Sequence, residues 1–169
     1  MKSIFFSVVV ASLFMGLLGC GNAERHNARQ KFKEAVAAIK VRTQGATYSE
    51  FRQAELDLKT SQEVNKTYLD DVRAQFASLD TIMTATDYLW SESIRYPRFE
   101  FISMFGDKTV FQAIHVITPD THIADKIDDY TPDQRRKDPD SYVMTYVHRG
   151  LTEISDQADG LLNLLEKQK

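Results

Sequence analysis

The chain has 169 residues, with 21 Lys and Arg against 24 Asp and Glu, a formal net charge of −3 and a single cysteine. One cysteine excludes an intramolecular disulfide, and a mildly acidic surface of mixed charge excludes the basic stripe that nucleic-acid binding needs. Scarce glycine and proline beside a 43% hydrophobic content describe a folded, helix-rich chain, neither disordered nor collagen-like.

The N-terminus opens with Lys2, followed by an almost unbroken apolar run from Ile4 to Leu18. Such a run falls short of the roughly 20 residues that span a bilayer. A basic start, an apolar middle and small residues at the end form an export signal. Leu17-Leu18-Gly19-Cys20 resembles the lipobox of bacterial lipoproteins, placed where the signal should end. The resemblance covers residues 1–20. It implies that residues 1–19 are a signal peptide, that the Cys20 thiol carries diacylglycerol after cleavage, and that the mature protein is held in a bacterial envelope membrane. A thiol with no intrachain partner thereby acquires a role, and two or more acyl chains anchor stably where one binds reversibly. Gly21, rather than Asp, after the cysteine resembles an outer-membrane address.

Loss of residues 1–19, whose only charge is Lys2, leaves residues 20–169 as one domain with a formal charge of −4. Gly21-Asn22 leads directly into helix-forming sequence, so the domain is expected close to the membrane. Residues 23–43 form a first predicted helix, with Ala28, Phe32, Ala35, Val36 and Ile39 on one face, ended at Gln44-Gly45. Thr47-Tyr48-Ser49-Glu50 fits a capping box, in which the Thr hydroxyl and Glu carboxylate satisfy free amides at a helix start. Phe51, Ala54, Leu58 and Leu56 are expected inward on this second helix.

From Leu69 the apolar spacing alternates in threes and fours: Val72, Phe76, Leu79, Met83, Thr86 and Trp90. A seam of this kind calls for a partner helix lying nearly along it. Residues 47–93 form either one rod or two helices broken near Ser61 to Lys66. Tyr96-Pro97 stops the helix. Phe99 to Ile117 reads either as a short β-hairpin about Gly106-Asp107 or as a buried helix from Thr109 to Ile117. Residues 119–138 read as a polar loop with one helical turn around Ile123 to Ile127. Asp138-Pro139-Asp140 then marks a helix start, and Met144, Val147, Leu151, Ile154, Ala158, Leu161 and Leu165 repeat the seam. Gly150 and Gly160 each weaken that helix by about 1 kcal/mol relative to Ala. The fold class is mainly α: a bundle of about four long helices, the last packed along the third, with an irregular or hairpin excursion around 97–138.

Chemistry-bearing motifs are sparse. His122, Asp125, Asp128 and Asp129 would share a face if helical, but no HExxH or EF-hand spacing accompanies them, so no metal or other cofactor is assigned. His115 lies in an apolar run and reads as a core residue, while His148 reads as reaching solvent. No GxSxG, phosphate-binding or dinucleotide motif occurs, carboxylate pairs lie on every helix without one standing out, and no catalytic residue is assigned. Aromatic residues crowd the middle of the chain. Trp90, Phe99, Phe101 and Phe105, with Arg95 and Arg98, form either a partner-binding patch or filling for the end of the core. The expectation is a tethered, non-enzymatic module that binds an envelope protein. A small-ligand carrier with an apolar pocket near 97–117 is the alternative, and a metal-dependent enzyme the third.

Overall fold

A computed structural model describes residues 3–95, 108–119 and 139–167, with side chains described from residue 21 onward, apart from a few at helix starts and Phe111. The elements are α1 (Ser3–Arg42), α2 (Tyr48–Asn65), two short 3-10 turns (Lys66–Tyr68 and Asp70–Val72), α3 (Arg73–Arg95), α4 (Lys108–Ile117) and α5 (Pro139–Lys167). No strand occurs among the described residues, so the hairpin alternative gives way to the short helix over 108–117. The rest of the 97–138 excursion, including the turn expected at 123–127, lies outside the described residues.

The start of α2 follows the sequence directly. Thr47 is its N-cap in extended conformation. The Thr47 N–H donates to Glu50 Oε2 at 2.9 Å, and the Glu50 N–H donates back to the Thr47 hydroxyl at 3.4 Å. Gly45, with φ +77°, supplies the left-handed turn between α1 and α2 that other residues rarely adopt. The break between α2 and α3 falls over the two 3-10 turns, where Leu69 and Val72 stay buried while the chain reverses. Residues 47–93 are therefore two helices.

The long helices pack as an antiparallel circuit: α1 against α2, α2 against α3, α3 against α5, and α5 back against α1. Opposed directions are visible in the ion pairs, Lys33–Glu166 with Lys40–Asp159 for α1 and α5, and Arg52–Asp87 with Lys59–Asp80 for α2 and α3. This is the up-down topology that short connections favour. The α3–α5 interface is the most extensive, as the two matching seams require. One core runs through all four helices, including Phe32, Val36, Ile39, Phe51, Leu58, Leu79, Met83, Leu89, Val147, Ile154 and Leu161. Phe32 and Phe76 meet edge-on with ring centres 5.7 Å apart. Helix α4 docks mainly on α3 and lightly on α5, through Val110, Ala113, Ile114 and Ile117.

Two sequence expectations change. Leu56 is 44% exposed, and Glu55 takes the inward place beside it with no exposed surface. His115 is exposed on α4 rather than in the core, because it lies off the face through which α4 meets α3 and α5. Gly150 acquires a structural reason. A Cβ there would overlap Thr86 Oγ1 and lie 3.1 Å from both Thr86 Cβ and Cγ2. The glycine thus sets how closely α5 approaches α3. Among the described residues, no helix is long and apolar enough to cross a membrane.

Candidate functional site

The α2–α3 interface is the leanest in the circuit and is closed by charge. Between the two helices, Arg52 Nη1 donates to Glu55 Oε2 and to Asp87 Oδ2, both at 2.8 Å. One turn along, Lys59 Nζ lies 2.8 Å from Glu55 Oε1 and 3.0 Å from Asp80 Oδ1, and donates to Thr84 Oγ1 at 3.1 Å. Glu55, fully buried, therefore sits between two cations of its own helix. Those cations reach across to two carboxylates of the next. Tyr48 stands at the far end, close enough to Asp87 for each group to shift the acidity of the other.

Three carboxylates share two cations in this set, and the imbalance is felt at Asp87. Burial first, and then the nearby Glu55 charge, push its carboxyl above the ordinary aspartate range, against smaller opposing effects of Tyr48, Arg52 and Lys59. The Tyr48 phenol is raised in turn, by burial and then by the Asp87 charge. Lys59 is raised as well: burial opposes its charge, but Glu55 and Asp80 together outweigh that.

Beside this network, α3 and α4 diverge to leave an open groove of about 460 Å³. Ala85, Tyr88, Ala113 and Val116 give it apolar walls, Thr81, Thr84, Thr109 and Gln112 add polar edges, and Asp80 contributes a carboxylate. Asp80 and Thr84 thus belong to both the groove and the charge network. A second open groove, also of about 460 Å³, lies where the end of α4 meets α3 and α5. It carries Arg149, Glu153 and Gln157 over Ile82, Ile117 and Pro119. A smaller one beside the end of α1 is lined by His148, Ser155 and Asp156 among others, and His148 is exposed there, as expected.

The residues singled out from sequence divide as follows. Trp90 is half-buried and joins α3 to α2, its ring centre 5.6 Å from Phe51 and 5.7 Å from Tyr48. Arg95 is exposed and pairs with Glu92 at 3.3 Å on its own helix. The structure does not bring Trp90 and Arg95 into one described pocket. Arg98, Phe99, Phe101 and Phe105 lie outside the described residues, as do His122, Asp125, Asp128 and Asp129. Among the described residues no three His, Cys, Asp or Glu side chains converge as metal ligands. Sequence reasoning passed over Arg52, Glu55, Lys59, Asp80 and Asp87. The only available signal was their one- or two-turn spacing, which ordinary solvent-facing charges share.

Comparison with protein-family models, with characterised proteins and with solved structures gave no match to this chain.

Proposed function

We propose that the protein is a bacterial envelope lipoprotein, anchored through lipid on Cys20, whose helical bundle serves as a non-enzymatic binding or accessory module for another envelope protein. The observation that carries this reading is the placement of the lipobox cysteine relative to the folded core. Helix α1 runs without interruption from Ser3 to Arg42, and Ala28 is the first buried core residue among its described side chains. Cys20 thus precedes the core by about 12 Å of helix, and residues 21–27 between them are all exposed. A stiff link of that length holds the bundle next to the bilayer. Tethering of this kind raises the effective concentration of the bundle towards membrane-bound partners, which is the benefit an adaptor or accessory subunit draws from a lipid anchor. Outer-membrane residence belongs to the same proposal and rests on Gly21 following the cysteine.

The test is cross-linking in intact cells of the native host, followed by membrane purification and mass spectrometry, with Cys20→Ala as the control. The expected result is one dominant envelope-protein partner, lost or weakened when the anchor is removed. Recovery of the protein alone in repeated experiments would contradict the reading. The carrier alternative has one specific observation in its favour, the groove formed by α3 and residues 109–116, within the 97–117 stretch where an apolar pocket was expected.

A further inference from the structure

The α3–α4 groove combines three properties that are not found together in the other described grooves. Its walls are mostly apolar. It contains an aromatic ring, Tyr88. Among its described lining residues the one charged group is an acid, Asp80, that terminates a set in which the described carboxylates outnumber the cations by one. In the neighbouring groove, by contrast, Arg149 offsets Glu153.

We propose that the groove between α3 and α4 binds a small organic cation with an apolar body, its charged nitrogen at Asp80 and its hydrocarbon against Ala85, Ala113 and Val116. Size sets the class of occupant. About 460 Å³ lies in the range of small-molecule sites. Charge sets its sign. Arg52 and Lys59 balance only two of Glu55, Asp80 and Asp87, and the Asp80 side chain, 38% exposed, is where the excess meets solvent. A cation there neutralises the set without leaving water entirely, so it escapes most of the desolvation cost of a buried ion. Tyr88, two turns further along α3, adds its ring to the apolar wall that the body of the ligand meets. The pKa of Asp87 is raised by burial first and then by the Glu55 charge, and the second of these is the internal sign of the same excess. A neutral ligand would gain only the apolar contacts, and an anion would meet repulsion.

This inference does not depend on the lipid anchor, and its test does not involve a protein partner. Cyclohexylmethylammonium serves as the probe, with cyclohexylmethanol and cyclohexanecarboxylate as neutral and anionic controls of matched shape. Saturation-transfer NMR on the full chain in a non-ionic detergent reads binding of each. The expected result is transfer to the ammonium well above either control. Asp80→Asn should weaken its binding about fivefold, the scale of a partly exposed ion pair. Because Asp80 also holds Lys59, a second pair of variants is placed at Gln112, an exposed groove residue outside the network. Gln112→Lys should weaken the ammonium and Gln112→Glu should strengthen it. Equal transfer to all three probes, or ammonium binding that ignores the charge at position 112, would overturn the proposal.

Discussion

Replacing Gly150 by Ala should destabilise the protein although alanine is the better helix former. Gly150 lies within α5, where Gly to Ala by itself favours the helix by about 1 kcal/mol. Against this, the new methyl overlaps Thr86 Oγ1 and meets Thr86 Cβ and Cγ2 at 3.1 Å. Thr86 is fully buried in α3, so rotation about χ1 exchanges one branch for another without clearing the space. Relief requires α3 and α5 to separate along the most extensive interface of the bundle. Overpacking of this kind costs about 1–3 kcal/mol and should exceed the helix gain. The net expectation is a loss of up to about 2 kcal/mol, or a fall in Tm of up to roughly 8 °C.

The double variant isolates the cause. Thr86→Ala removes both branches that face Gly150 and leaves only the Cβ contact at 3.1 Å, and Thr86 Oγ1 is a buried hydroxyl without a hydrogen-bond partner among the described residues, so little polar energy goes with it. In the Thr86→Ala background, Gly150→Ala should become neutral or stabilising, a coupling of about 1–3 kcal/mol between the positions. Thermal denaturation of the four proteins by circular dichroism completes the cycle. A rise in Tm for Gly150→Ala alone, by the helix-propensity amount, would refute the close-approach reasoning.

Three further outcomes follow from the α2 cap and the charge network. Thr47→Ala should cost about 1 kcal/mol by leaving an amide of the first turn of α2 without its acceptor, measured by urea denaturation; no change would mean that water serves the cap equally well. Glu55→Gln should cost about 1–3 kcal/mol, because Arg52 and Lys59 then face each other across a neutral group, discounted for the partial exposure of both cations; a stability unchanged from wild type would count against the ordering of the network. Asp87 has a folded pKa raised by burial and by Glu55, so its favourable contribution is complete below the ordinary aspartate value and is lost as pH rises through the raised one. Asp87→Asn should therefore gain stability relative to wild type as pH increases through that window, with the two Tm curves converging in acid. A constant gap would contradict the assignment.

The apolar seams were legible because burial on a helix imposes a spacing of three and four on the sequence itself. At Phe32, Val36 and Ile39, from Leu69 to Thr86 and from Val147 to Leu165, those positions are the observed core, with Ala35 partly buried at its edge. The α2 cap was equally plain, since its donors and acceptors are local to Thr47 and Glu50. Leu56 shows where pattern alone fails. It lies about 140° round the helix from Phe51, whereas Glu55 lies only about 40° away and is carried inward with it. Glu55 tolerates that place because Arg52 and Lys59, three residues before and four after, supply its counter-charges. Sequence spacing reveals such pairs but not which face meets a neighbour. The α2–α3 register, which sets Arg52 beside Asp87 and Lys59 beside Asp80, is a tertiary fact. The groove at Asp80 was hidden for the same reason, since it exists only where α4 lands on α3.

The most direct test of the central proposal is the chemical state of Cys20 in the protein made by its native host. Intact-mass and N-terminal peptide analysis of the membrane fraction should find a chain that begins at Cys20 and carries acyl chains. Cys20→Ala should abolish that modification and release the bundle from the membrane in otherwise folded form. A protein cleaved elsewhere, with Cys20 removed or present as a free thiol, would contradict the lipid anchor and the membrane-tethered role built on it.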